Sequence, residues 1–225
     1  IKNWIKKIKE SENEIFENCL ITKIDEASNI LKVNGIDNVS FDQLILTSGM
    51  WTNQLLNPLG LNLELEIWPM VWGHYLVDQS FTDKYPQWFC FQKANNEDGG
   101  LYYGFPVLSK NSENVPRIKV GIDWSPNSLV GNDPSAMRNP PIEPLKKLLD
   151  DFIFNNLNGI IKCDEIFISP YTMTNDVNFI LDKPKTSITI FSGGSGQAFK
   201  FAPLIGKCLA EKAIDKESSS NIDCW

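Results

Sequence analysis

The 225-residue sequence predicts an α/β layer interrupted by an α+β insert, and three observations carry that prediction. Two short apolar strands, over 41–47 and near 187–192, each run into glycine and then into a helical pattern, which is how strand ends of an α/β sheet are built. Between them, from about residue 61 to 171, short strand-like runs are punctuated by Gly, Pro and Asn and are followed by one clear helix.

The elements follow in order. The stretch IKNWIKKIKE carries apolar residues at helical spacing, so an amphipathic helix is expected over 1–11. It starts at Ile1 without a signal-peptide pattern and reads like the middle of a longer protein. Strands are expected over 19–24 and 29–33 with a polar turn between them. The nearly continuous apolar run 41–47 is then expected to meet Gly49 and enter a helix near Thr52. In the insert, strands are read in LELEIWPMVWGHYLV, QWFCFQ, GLYYGFPVL and RIKVGIDW, and a helix in PIEPLKKLLDDFIFNNL. The chain returns through NFILDK to SITIFSGGSGQAFKFAPLIGKCLAEKA, an alternating strand, a glycine cluster and a helix. Residues 217–225 are expected to fray. There is no internal repeat.

Composition limits the partners. Hydrophobic residues make up 42% of the chain, ample for a packed core. A net charge of −7 provides no basic stripe for nucleic acid, and no apolar run approaches a bilayer span, so neither nucleic acid nor membrane is expected as a partner. The five cysteines are odd in number, widely spaced and without a C-x-x-C pair. They read as reduced thiols of a cytoplasmic protein, with neither a disulfide framework nor a zinc site. The single histidine, His74, has no visible partner and reads as a structural or surface group, and no metal site is expected.

Gly193, Gly194 and Gly196 have two possible uses, a tight turn or close approach of the main chain to a ligand. Their spacing gives neither G-x-G-x-x-G nor a phosphate-binding G-x-x-x-x-G-K-[ST], so on pattern alone a strand-to-helix turn is the better reading. Lys200 follows at once, and its plain reading is a surface lysine in the first helical turn. Trp51 and Trp68 read as packing residues.

Four stretches in a fixed order carry a family resemblance: FDQLILTSGMWTNQLL, GLYYGFPVL with RIKVGID, SPYTMTNDVNFILD and FSGGSGQAFKFAP. Together they resemble the C-terminal two-thirds of the FAD-dependent amine oxidoreductases related to D-amino-acid oxidase, in the branch of monomeric sarcosine oxidase and N-methyltryptophan oxidase. The resemblance implies the C-terminal part of a Rossmann-like FAD-binding domain, over 1–60 and 177–216, with an inserted antiparallel-sheet substrate domain over 61–176. The family's G-x-G-x-x-G turn and its following acidic residue are absent, which implies that the chain is a fragment of the full enzyme.

The implied chemistry is FAD-dependent oxidation of a small secondary or primary amine, such as an N-alkyl or cyclic amino acid, to an imine. Oxygen or another electron acceptor then takes the electrons. Two alternatives stay open, a flavoprotein dehydrogenase subunit and a cofactor-less relative that acts as a binding module.

Residue by residue, the resemblance places Lys200 at the substrate carboxylate. It runs the turn of Gly193, Gly194, Ser195, Gly196 and Gln197 close under the flavin, and puts Gly49 and Trp51 beside the cofactor. Lys119 matches a lysine that promotes reaction of reduced flavin with oxygen, where a fixed positive charge stabilises a developing anion. On the strand pattern itself an outward lysine is almost as good a reading. Tyr171 and Tyr103, or Tyr102 in its place, are implied as pocket walls. Asp123 stands where the branch commonly has a histidine, and a carboxylate there would repel an acidic substrate or attract an extra amine. Ser169 stands where the branch attaches FAD through a cysteine, so the FAD is expected to be noncovalent.

Overall fold

The structure, a computed structural model, describes residues 1–91 and 100–217. The expectation for the tail from 218 onward, and for strand continuation at Gln92, lies outside the described residues.

Helical spacing at the N-terminus yields α1 (Lys2–Lys9), yet none of its residues is buried and Trp4 remains 48% exposed. A polar turn containing Asn29, at φ +51°, joins β1 (Ile21–Asp25) to β2 (Ile30–Val33), and the left-handed conformation suits asparagine. A short β3 (Val39–Ser40), absent from the sequence reading, completes a three-stranded antiparallel sheet in the order β1-β2-β3.

The expected strand over 41–47 is shorter than its apolar run. Only β4 (Leu44–Leu46) pairs, while the amide of Phe41 donates to Asn29 O instead. A 3-10 turn, Gly49–Trp51, then leads into α2 (Thr52–Leu56), close to the expected helix start.

The middle of the chain builds a five-stranded antiparallel sheet. Its strands are β5 (Glu66–Val77), β6 (Trp88–Phe91), β7 (Leu101–Lys110), β8 (Pro116–Ile122) and, after α3 (Ile142–Asn156), β9 (Ile160–Met173). The spatial order is β6-β7-β8-β5-β9. The sequence reading has no strand at β9, because IIKCDEIFISPYTM mixes charge with proline and alternates poorly. Its strand character comes from pairing with β5 from Val77↔Ile160 to Glu66↔Met173.

The chain then forms β10 (Ile180–Lys185), β11 (Ile188–Ser192), a 3-10 turn over Ala198–Phe201 and α4 (Ala202–Ala213). In the sheet β10-β11-β4, the β11–β4 contact is the one parallel pairing among the described strands, so the expected α/β layer is present as this pair flanked by helices.

Two apolar clusters result. Ile24, Leu46, Leu56, Ile188 and Ile190 fill the smaller one. The larger lies under the five-stranded sheet, where Leu145, Leu149, Phe152 and Ile153 of α3 meet Val71, Tyr75, Tyr102, Ile118, Val120 and Ile122. Each such fully buried side chain contributes roughly 1.5–3 kcal/mol. Strand alternation then sends the intervening residues to the opposite, helix-free face: Tyr103 and Phe105, Lys119 and Gly121, Trp72 and His74, and Phe167, Ser169 and Tyr171.

Candidate functional site

The glycine turn after β11 meets the end of β9. Gly193 and Gly196 take φ +67° and +70°, and both need glycine for reasons internal to the chain. A Cβ on Gly196 would lie 2.2 Å from the edge of the Tyr171 ring, and one on Gly193 would lie 2.5 Å from the Thr174 methyl. Ser195, a non-glycine residue at φ +43°, is buried and tied down twice. Its amide donates to Thr172 O at 2.9 Å and its hydroxyl to Gly193 O at 3.0 Å.

This turn, Gly49, Tyr171, Thr172 and Ala198 line an open groove of about 280 Å³. A neighbouring groove of about 470 Å³ shares Thr47 and Gly49 with it and is lined by Trp51, Leu20, Gln54 and Leu55. Trp51 is 50% exposed, so it forms a wall of this second groove rather than part of the core.

Tyr103, Tyr171 and Asp123 come together. The Tyr103 ring occupies the space beside Gly121, and both phenols are pushed above their ordinary range, chiefly by burial and further by the negative charge of Asp123. Tyr171 adds to the shift at Tyr103. Asp123 is solvent-facing, yet the protein around it raises its carboxyl. Tyr102 instead points to the other face and stacks on Phe152 at 3.8 Å, so of the two neighbouring tyrosines only Tyr103 shares a face with Lys119.

Lys119 reaches the same open face, with its ammonium 4.1 Å from the centroid of the Trp72 ring. Partial burial lowers its pKa from the ordinary lysine value. Ser169 accepts a hydrogen bond from Trp72 Nε1–H at 3.0 Å. His74, read from sequence as partnerless, holds Glu165 through Nδ1 at 2.8 Å. Arg117 donates to the same carboxylate at 2.7 Å and to Asp164 at 3.1 Å. These contacts, the His74 bond first, hold the Glu165 carboxyl below its usual range.

Lys200 stays apart. It is exposed in the 3-10 turn, its ammonium lies 5.4 Å from the Phe201 ring centroid, and it does not line the groove. Gln197 is exposed, and its amide closes the turn by donating to Gly194 O. Trp72, Phe105 and Phe167 belong to the face and escaped sequence reasoning. Recognising β9 as a strand would have found Phe167 by alternation, whereas Trp72 and Phe105 sit on strands that were read and only the register places them together.

Residues 2–212 match the family model described as FAD dependent oxidoreductase. The chain belongs to this family. It is 26% identical over 189 residues to monomeric sarcosine oxidase of Bacillus sp. (strain NS-129), covering 82% of this chain and 46% of that protein. It is 27% identical to N-methyl-L-tryptophan oxidase of Yersinia pestis (strain Pestoides F), covering all of this chain and 58% of that protein. Among solved structures it resembles the open form of NikD, described as an unusual amino acid oxidase essential for nikkomycin biosynthesis. The TM-score is 0.70 at 21% identity, covering 91% of this chain and 51% of that one. The chain thus spans about half the length of the curated relatives it matches.

Proposed function

We propose that the protein takes part in FAD-dependent oxidation of a small secondary or primary amine, such as an N-alkyl or cyclic amino acid. The observation that carries this reading is the convergence of Tyr103, Tyr171 and Asp123 beside the groove of the glycine turn, with Lys119 on the same sheet face. The groove suits a flat group: Gly49, Gly193, Gly194, Gly196 and Ala198 give part of its wall bare backbone, and Tyr171, Phe191 and Phe199 give it aromatic side chains. When bound, FAD would supply the two-electron acceptor, so that the amine loses two electrons and two protons to give an imine, which water hydrolyses, and oxygen or another acceptor carries the electrons away.

The chain's own residues orient and polarise. The Tyr171 and Tyr103 rings wall the substrate side, and their hydroxyls stay protonated through the neutral range as donors. The Lys119 ammonium places positive charge where electron transfer to oxygen builds negative charge. Asp123 sets the charge preference by repelling an acidic substrate. Ser169, its hydroxyl engaged by Trp72, offers no thiolate for a thioether, so the proposed FAD is held noncovalently. Lys200 would reach a substrate carboxylate only after leaving Phe201. The division proposed is 1–60 with 177–216 around the cofactor and 61–176 around the substrate, and the two separate apolar clusters support it. The proposed setting is cytoplasmic with reduced thiols. Among the described residues, Cys19, Cys90 and Cys163 are free thiols.

The test is to supply FAD to the protein with any upstream coding sequence restored, and to mix it anaerobically with N-methyl and cyclic amino acids while the flavin absorption is recorded. Bleaching by one of them, and release of the colour into an acid supernatant, are the expected results. A protein that never takes up FAD, or whose flavin no amine bleaches, would contradict the reading.

A further inference from the structure

Trp72 sits at the centre of the open sheet face and touches two of the residues assigned above. Directly opposite it are Gly121 on β8 and Phe167 on β9. Phe167 stacks on the indole at 4.2 Å and 19°, and the His74 ring meets it edge-on at 5.6 Å. Gly121 contributes no side chain, and the Tyr103 ring fills that space, so the indole is hemmed in by rings from neighbouring strands. Its N–H donates to Ser169 Oγ at 3.0 Å, and its ring carries the Lys119 ammonium at 4.1 Å, with the Phe105 ring 5.8 Å away on the other strand.

Lysine is a flexible four-carbon stem, so holding its charge at one point needs a partner. Among the described residues no carboxylate lies within ion-pairing distance of Lys119. Glu165, across β5 on strand β9, is engaged by His74 and Arg117 instead. A carboxylate partner would fix the ammonium but cancel its field, whereas an aromatic face fixes it and leaves its net charge acting on the surroundings.

We propose that Trp72 is the positioning residue of this face: its indole, oriented by Ser169 and Phe167, holds the Lys119 ammonium in place without neutralising it. This rests on the reading above that Lys119 supplies positive charge for electron transfer to oxygen. It also gives Ser169 a role of its own, as the acceptor that sets the indole's orientation.

Two measurements test it, one independent of the cofactor. Reductive methylation with carbon-13 formaldehyde labels the lysines, and K119M identifies the Lys119 signal, which the indole's ring current should shift upfield. W72L should abolish that shift, W72F should keep part of it, and S169A should reduce it while circular dichroism is unchanged. A Lys119 signal that is not upfield, or is indifferent to both W72L and S169A, would overturn the proposal. In FAD-loaded protein, reoxidation of the reduced flavin by oxygen should fall about tenfold in W72L and less in W72F, and further than anaerobic reduction by the amine. Equal losses in both half-reactions would show Trp72 to be structural only and would also overturn it. Failure to take up FAD would sink the proposed function, yet leave the Lys119 signal to decide the role of Trp72.

Discussion

At the scale of single residues, the glycine turn shows how backbone and side chain constrain one another. Gly196 combines a left-handed φ with a Tyr171 ring where its Cβ would be, so Gly196→Ala must shift the tyrosine and strain the turn together. A loss of about 2 kcal/mol or more is expected from urea denaturation midpoints. The buried tyrosines give a pH signature. The phenols of Tyr75, Tyr103 and Tyr171 are all raised, chiefly by burial. A raised group binds its proton more tightly in the folded chain. Its contribution is therefore complete below the unfolded value of about 10 and is lost as pH climbs through the folded value. Thermal unfolding should accordingly hold steady up to about pH 10 and fall above it, with Y103F and Y171F each flattening the fall. The presence of tyrosines and an aspartate on this face was legible from family motifs. Their meeting was not, because Tyr103 lies on β7, Asp123 just past the end of β8 and Tyr171 on β9, and the pairing register of the sheet brings them together.

Among the elements, α3 decides which sheet face is open. Leu149 is fully buried between helix and sheet, and Leu149→Ala should cost about 2–5 kcal/mol in urea unfolding. The Tyr75 hydroxyl adds a directional tie, donating to Asp150 of the helix at 2.6 Å. The helix itself was legible because its apolar residues repeat at helical spacing over a full 15 residues. Strand β9 was hidden because an edge strand carrying Lys162, Asp164, Glu165 and Pro170 has no hydrophobic period of its own. The run over 41–47 misled in the opposite sense. Apolar content marked a strand, but β4 extends only as far as β11 offers Ile188, Thr189 and Ile190 as partners.

For the whole molecule, sequence order already separated the outer α/β pieces from the antiparallel middle, since glycine-ended apolar strands and Gly/Pro-punctuated short runs differ in composition. What order alone does not give is the direction in which the sheet faces. With α3 on one side, the other side is left to Lys119, Trp72, Ser169, Tyr103 and Tyr171, next to the turn that ends β11. We propose that this face and this turn together form the flavin and substrate site. Amide hydrogen exchange read by mass spectrometry, with and without saturating FAD, tests it most directly. New protection is expected in 193–199, in 47–52 and at the Tyr171 end of β9, with α3 unchanged. Protection confined to α3, or none anywhere, would contradict it.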